Sequence, residues 1–276
     1  MASTLYSSPD DYDRAYRSLV RTRLNAASHR SQSLVGSLHT FMNTPKWHYD
    51  EMKHIGVDFA DPEVVARYDA RQRSDLEADR RDAADWGISH GQVLIEYGPG
   101  TGSFVMAAAE RGAKVFAVDV SAAMLDYARR QVECAGIADR VKFFHAGFLS
   151  YEHPGEMADF VVSQFAFHHL PDFWKAIALQ RIYSQLKEGG RFILHDVVFS
   201  FPAGEYAQRI ETWIESVCSA TGNAWSRADF EMHVRDEFST FAWILEEMLR
   251  RTGFRIDRAE YSTPTKGFYV CSKPVA

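Results

Sequence analysis

Residues 93–102 read VLIEYGPGTG, in which a short and mostly apolar run leads directly into three glycines at alternate positions. Such a run, bounded by glycine, predicts a strand that is buried on both faces, as in a parallel sheet. Glycine lets the turn after the strand tighten, and it lets backbone approach a ligand without a Cβ in the way. Because open α/β sheets bind ligands at the carboxyl ends of their strands, this loop is predicted to bind a ligand.

The alternation of apolar strand and helix continues on the C-terminal side of the loop. Further strands are predicted over KVFAVD (114–119), VKFFHA (141–146), DFVVSQFA (159–166) and RFILHDVV (191–198). Helical patterns separate them, one of them capped by Ser121, and this order predicts a parallel sheet with helices on both faces. FRIDRAEY (254–261) and GFYVCSK (267–273) are joined by a short turn, so we expect an antiparallel hairpin at the end of the sheet.

Helical patterns also precede this region. Residues 1–85 are predicted to form a helical cover or lid beside an α/β domain over 86–276. Separate helices are predicted over 10–40, around Trp47 to Ile55, and from Pro62 toward Trp86. The first of these could pair with a second copy of the chain or pack on its own chain, so a homodimer is one of two expectations.

A further helical region interrupts the strands near the C-terminus. Helices are predicted over 203–218, 226–236 and 240–252. Aromatic residues crowd this region, among them Trp213, Phe230 and Trp243. Since small-molecule pockets are mainly apolar and aromatic, we expect the insertion over 200–238 to cover a small, partly apolar substrate.

Charge and composition restrict the class of protein. The net charge is −6, whereas nucleic-acid binders usually carry a basic face, so no nucleic-acid partner is expected. Arginines at 14, 17, 21, 23 and 30 are read as a solvated helix face, with an RNA-contacting arm as the alternative. The sequence shows neither a membrane-spanning apolar run nor a secretory signal, which makes the cytoplasm the expected location. The three cysteines lack a CxxC spacing, so neither a disulfide framework nor a zinc site is expected.

The spacing within the glycine loop favours a ligand that is poor in phosphate. A dinucleotide loop would place its third glycine at position 103, which is Ser103, and Pro99 lacks an N–H that a diphosphate could use. Asp119 closes the next strand, where a carboxylate can accept hydrogen bonds from both hydroxyls of a ribose. These features together fit a nucleoside such as S-adenosylmethionine (SAM).

Four segments resemble successive motifs of the class I SAM-dependent methyltransferases. They are VLIEYGPGTGSF, AVDVSAAMLDYA, FAFHHLPDFWKAI and LKEGGRFILHDVVF, and the similarity covers about residues 60–200. The resemblance implies an α/β, doubly wound, seven-stranded mixed sheet in the order 3-2-1-4-5-7-6. Its last strand would be antiparallel, and the helical insertion would precede the sixth strand.

The resemblance also implies residue roles toward SAM. The glycines would line the methionine arm, Glu96 would orient the loop or meet the ammonium group, and Asp119 would hold the ribose. Val120 and Met124 would flank the adenine, and residues 146–148 would meet its edge. The full set of implied contacts is Glu96, Gly98, Gly100, Gly102, Asp119, Val120, Met124, Gly147, Phe148, Gln164 and, from the lid, Tyr49.

One position departs from the family pattern. Many relatives carry an acidic residue after the third strand, hydrogen-bonded to the adenine amino group, whereas Gly147 occupies that position here. Adenine is therefore expected to rely on backbone groups or on another side chain.

Histidines near the expected substrate position are the candidates for a general base. His168 and His195 are the first two candidates and His48 is the third, because imidazole exchanges protons near neutral pH. His169 is read as structural. No set of His, Asp and Glu shows a metal-ligand spacing, so no metal is expected.

The favoured function is transfer of a methyl group from SAM to a small metabolite by in-line displacement. Such a reaction needs a base only if the acceptor must lose a proton. One alternative is a SAM enzyme that uses the aminocarboxypropyl arm, by transfer or by cyclisation with release of methylthioadenosine. The others are an RNA methyltransferase and a SAM-binding regulator without catalysis.

Overall fold

The computed structural model describes residues 45–53, Val65, Tyr68, 76–219 and 226–275. The chain divides into two compact units, Met1–His48 and Tyr49–Ala276. The predicted helix over 10–40 lies outside the described residues, and the predicted boundary between residues 85 and 86 stays a prediction. The second unit contains the α/β fold.

Strands and helices alternate through most of this unit. The strands are β1 (Val93–Tyr97), β2 (Lys114–Asp119), β3 (Val141–His145), β4 (Ala158–Gln164), β5 (Leu186–Phe199), β6 (Thr240–Phe241), β7 (Arg255–Thr263) and β8 (Lys266–Ser272). The described helices are α1 (Leu76–Asp85), α2 (Ser103–Glu110), α3 (Ala122–Cys134), α4 (Asp172–Gln185), α5 (Tyr206–Ser219), α6 (Arg227–Asp236) and α7 (Ala242–Thr252). No helix in the described part of the chain combines the length and the apolar character needed to cross a membrane.

The sheet has the predicted strand order. Its order is β3-β2-β1-β4-β5-β8-β7, with parallel pairing from β3 to β5 and antiparallel pairing of β8 with both β5 and β7. The predicted sixth and seventh strands are β7 and β8, so the predicted topology is confirmed. The structure adds β6, which pairs in parallel with the end of β5 and brings the number of strands among the described residues to eight. A strand of two residues is too short for hydrophobic periodicity to reveal.

Apolar side chains cover both faces of the sheet. Leu94 packs in a cluster with residues of α1 and α2, whereas Ile95 packs in a second cluster with residues of α4 and α7. All five residues of β1 are buried, as expected for a central strand of a parallel sheet. Because β1, β2 and β4 run in the same direction, the loops that follow them meet at one edge.

The structure contradicts two local predictions. Residues 45–53 form turns rather than a helix, because the Asp50 side chain accepts a hydrogen bond from the Met52 N–H at 3.1 Å, a local bond that competes with helix formation. β5 begins at Leu186, ahead of the start predicted at Arg191, and its first residues form an irregular stretch of strand. The pairing register with β4 shifts there, between Ala158 and Phe160.

Candidate functional site

A groove of about 920 Å³, including its open mouth, lies at the carboxyl ends of β1, β2 and β4. Its lining combines the glycine loop, the segments after β2, β3 and β4, and a stretch that precedes α1. The lining residues are Tyr49, Glu51, Lys53, Tyr68, Tyr97, Gly98, Gly100, Val118, Asp119, Val120, Ser121, Met124, Ala146, Gly147, Phe148, Gln164, Phe165, Ala166, His169 and Leu170. The groove therefore brings together most of the residues that the sequence singled out for SAM.

The three glycines of the loop have different roles. All have positive φ, at 72° for Gly98, 54° for Gly100 and 90° for Gly102. A Cβ on Gly98 would lie 2.3 Å from the Cβ of Ala166, so the loop packs there without space for a side chain. Gly100 faces the open groove, where the nearest atom to a Cβ would be 4.0 Å away on Tyr68.

Gly102 serves helix packing rather than the groove lining. It is the left-handed N-cap residue of α2, and a Cβ there would lie 2.7 Å from the Cβ of Ala128 on α3. Of the three glycines predicted to meet the methionine arm, the structure places Gly98 and Gly100 in the groove lining.

Asp119 is a buried carboxylate at the end of β2. Its Oδ1 accepts a hydrogen bond from the Ser121 N–H at 2.8 Å. Burial raises the pKa of Asp119 to about 6, against the opposing effect of backbone N–H groups of Ser121 and Gly100. The carboxylate is therefore mostly ionised at neutral pH and is held at the groove surface, beside Val120 and Met124.

Glu96 lies behind the glycine loop and is almost completely buried, with 2% of its surface exposed. Burial, followed by the charges of Asp79 and Asp119, raises the pKa of Glu96 well above its usual value. Its Oε2 is buried and accepts no hydrogen bond within the described part of the chain. An orphaned carboxyl oxygen at the base of the loop can accept a hydrogen bond from a bound donor.

A carboxylate that the sequence pattern did not indicate lies against the segment after β3. Glu51 reaches this segment from the stretch before α1, and its Oε2 accepts a hydrogen bond from the Leu149 N–H at 2.8 Å. Its carboxylate lies 2.5 Å from the position that a Cβ on Gly147 would occupy. Sequence periodicity gives no signal for such a contact, because it joins a turn to a distant loop.

Tyr49 lines the groove beside the turn that follows β4. Its hydroxyl donates a hydrogen bond to the carbonyl oxygen of His169 at 3.2 Å, and its ring stacks on Trp174 with centroids 6.2 Å apart. Gln164 lines the groove at the end of β4, and its place beside the cofactor stays a prediction. Tyr49 and Gln164 thus lie at the end of the groove that adjoins the two consecutive histidines.

His168 is buried in a charged cluster and does not line the groove. Its Nδ1 pairs with Oδ1 of Asp196, and its Nε2 lies 3.2 Å from Oε2 of Glu237. Burial opposes the charged imidazolium, but the two carboxylates outweigh it and raise the pKa of His168 to about 9. The two carboxylates therefore favour the protonated ring at neutral pH, which disfavours His168 as a general base, and its role stays a prediction.

The structure brings His169, rather than His168, to the groove. Burial and the adjacent positive charge of His168 lower the pKa of His169 to about 3, so this ring is neutral. His195, in β5, packs its ring 4.4 Å from that of Phe165, and burial lowers its pKa. It does not line the groove. His48 belongs to the first unit, and its role stays a prediction.

A second histidine completes the cluster around His168. Nδ1 of His233 pairs with Oε2 of Glu237, and the ligand atoms of His168, His233 and Glu237 all lie within 4.8 Å of one another. These atoms are close enough to share one metal ion, and in the structure they pair directly with one another. The sequence did not indicate this group, because its members are far apart in the chain. His168 lies in the turn after β4, His233 lies in α6, and Glu237 directly follows α6.

Residues 94–190 match the sequence model of a family described as a methyltransferase domain. An uncharacterized methyltransferase of Geobacillus kaustophilus is 34% identical over 109 residues, which cover 40% of this chain and 48% of that protein. The chain spans about half the length of the curated relatives it matches.

Solved structures share the fold at low sequence identity. A SAM-dependent methyltransferase from Aquifex aeolicus has a TM-score of 0.56 at 17% identity, covering 77% of this chain and 98% of that one. The [4+2]-cyclase SpnF has a TM-score of 0.57 at 16% identity, covering 73% and 81%. These similarities establish a common architecture, and the two names show that it is used for different reactions.

Proposed function

We propose that the chain, whose residues 94–190 match a methyltransferase-domain family, is a class I SAM-dependent methyltransferase that transfers a methyl group from SAM to a small, partly apolar metabolite. The proposal rests above all on one observation, that a glycine loop and a buried carboxylate, Asp119, face the same groove at the ends of adjacent strands. This arrangement suits a nucleoside that lacks phosphates, because the loop holds Pro99 where a diphosphate would need an N–H donor.

Two parts of the groove fit SAM, and a third residue lies behind the loop. Asp119 would accept hydrogen bonds from the ribose hydroxyls, and the backbone of Gly98 and Gly100 would lie along the methionine arm. Glu96 lies outside the groove lining, and its buried carboxyl would orient the loop from behind. When bound, SAM supplies a methyl group on a positively charged sulfur.

The protein's main contribution to such a reaction is alignment. Holding the acceptor in line with the methyl group can lower the barrier by about 7–11 kcal/mol. We place the acceptor near Gln164 and His169, at the end of the groove bounded by Tyr49. Burial, together with the charge of the adjacent His168, would keep His169 neutral there.

Replacing Asp119 by Asn is expected to weaken binding of S-adenosylhomocysteine (SAH), the spent cofactor. Hydrogen bonds to a charged group contribute about 1.5–3 kcal/mol, so the dissociation constant should rise roughly 10-fold to 150-fold. Isothermal titration calorimetry measures this change directly. Asp126→Asn on α3, which alters an exposed carboxylate, is the matched control and should leave affinity unchanged. Equal affinity of Asp119→Asn and wild type would contradict the ribose assignment.

Affinity for SAH is also expected to depend on pH through Asp119. The carboxylate must be ionised to accept both hydroxyls, and its pKa in the free protein is about 6. Affinity should therefore be level above pH 7 and fall as pH drops through 6, reaching about a tenfold loss at pH 5. Titrations between pH 5 and 8 would measure it. The Asp119→Asn variant should lose this dependence, and a profile that it leaves intact would assign the titration to another group.

Product analysis tests the reaction itself. Incubation with SAM and pooled metabolites, followed by mass spectrometry, should yield SAH together with an acceptor that has gained one methyl group. Formation of methylthioadenosine would instead indicate chemistry of the aminocarboxypropyl arm. Methylation confined to added RNA, with binding that weakens steeply as salt rises, would show that the acceptor is a nucleic acid and not a metabolite.

A further inference from the structure

Glu51 and Gly147 are complementary in shape. The Cδ and Oε2 atoms of Glu51 lie 2.5 Å from the position of a Cβ on Gly147, and Oε1 lies 2.9 Å from it. Any side chain at position 147 would collide with this carboxylate. Glu51 thus brings to the end of β3 a carboxylate that residue 147 itself does not provide.

The two carboxylate oxygens of Glu51 are in different situations. Oε2 is fixed by the Leu149 N–H at 2.8 Å. Oε1 is buried and accepts no hydrogen bond from the described part of the chain, although Glu51 lines the groove. A buried carboxylate oxygen without a donor costs free energy, so this atom is poised to accept a hydrogen bond from a ligand.

The position of Glu51 indicates which part of the ligand it meets. β3 pairs with β2, and Asp119 stands directly opposite His145 in their register. A ribose held by Asp119 would therefore bring its base toward residues 146–148, which line the same groove as Met124. The base edge that reaches Glu51 must carry a donor, and the exocyclic amino group of adenine is one.

We propose that Oε1 of Glu51 accepts a hydrogen bond from the adenine amino group and selects adenine over bases that present a carbonyl oxygen there. This inference rests on the proposed function, because it places a nucleoside in the groove. It also gives the turn over 49–53 a role in recognition, since Tyr49 and Glu51 belong to the same short stretch of chain.

Calorimetry on the full chain with two nucleosides tests the assignment. The probes are SAH and S-inosylhomocysteine, in which a carbonyl oxygen replaces the amino group. Wild type should bind SAH about 10-fold to 100-fold more tightly, because the carbonyl oxygen would face a carboxylate oxygen. Glu51→Ala should weaken SAH by a similar factor and remove the preference, while binding of the inosine analogue shows that the variant is folded.

Glu51→Gln separates recognition from packing. The Leu149 N–H needs an acceptor, so the carbonyl oxygen of the new side chain should take that bond and leave its amide NH₂ facing the base. With SAH bound, the amide NH₂ would face the adenine amino group, and two donors cannot form a hydrogen bond. With the inosine analogue bound, the amide NH₂ could donate to the carbonyl oxygen of the base. The preference should therefore invert. Glu152→Gln, a change at an exposed glutamate, should leave both affinities as in wild type.

The outcomes distinguish this assignment from the proposed function. If wild type binds neither nucleoside, the proposed cofactor and the role of Glu51 are both overturned. If wild type binds SAH and the analogue equally, or if Glu51→Gln weakens both by the same factor, SAM remains the cofactor and only the role of Glu51 is overturned.

Discussion

Gly98→Ala is expected to abolish measurable SAH binding and to destabilise the fold. The residue has a φ of 72°, a left-handed conformation that costs an L-residue roughly 1–2 kcal/mol. The new Cβ would also lie 2.3 Å from that of Ala166, an overlap that backbone movement must relieve at a further cost of about 1–3 kcal/mol. Because the loop itself lines the groove, that movement would displace the ligand-binding backbone. Calorimetry with SAH and thermal denaturation would measure the two effects.

Gly136→Ala is the matched control for backbone strain. Gly136 has a φ of 70°, and nothing lies within 4 Å of a Cβ placed there. This variant should lose about 1–2 kcal/mol of stability through conformation alone and should bind SAH normally. If Gly98→Ala behaves like Gly136→Ala in both assays, the close contact with Ala166 does not shape the binding loop.

The architecture could be predicted because its determinants are local. β1 is apolar along its whole length because both of its faces are covered, and the glycines that follow mark its end. The capped start of α3 is equally visible, since Ser121 accepts a hydrogen bond from the Met124 N–H at 3.1 Å. Each strand or helix has its own local sequence pattern. The order of these patterns along the chain indicates a parallel sheet with helices on both faces.

The finer parts of the site could not be predicted, because they depend on contacts between distant segments. His168 and His169 are adjacent in sequence, and only the 3-10 turn over Phe167–His169 decides which ring faces the groove. Glu51 reaches its partner across 98 positions of the chain. Glu237 likewise joins the cluster around His168 from a segment that no motif connects with it.

The cluster around His168 is a buried network of ion pairs and hydrogen bonds. Asp196 accepts two hydrogen bonds from His168, one from Nδ1 of the ring and one, at 3.1 Å, from the backbone N–H. The positive charge of His168 in turn lowers the pKa of Asp196 against the effect of burial. Glu237 holds the other side of the ring and is itself paired with His233. Such a network stabilises the fold only while every member keeps its partner.

Asp196→Ala should therefore be strongly destabilising. Removing one partner of a buried ion pair typically costs about 3–5 kcal/mol, because the remaining charge loses its compensation. The change would leave His168 with Glu237 alone and its backbone N–H without an acceptor, so the midpoint of denaturant unfolding should fall sharply. Asp236→Ala removes an exposed carboxylate that pairs with Arg235, and it should leave the midpoint almost unchanged because solvent screens that pair. Equal midpoints for the two variants would show that His168 does not carry a buried positive charge. His168 could then act as a base.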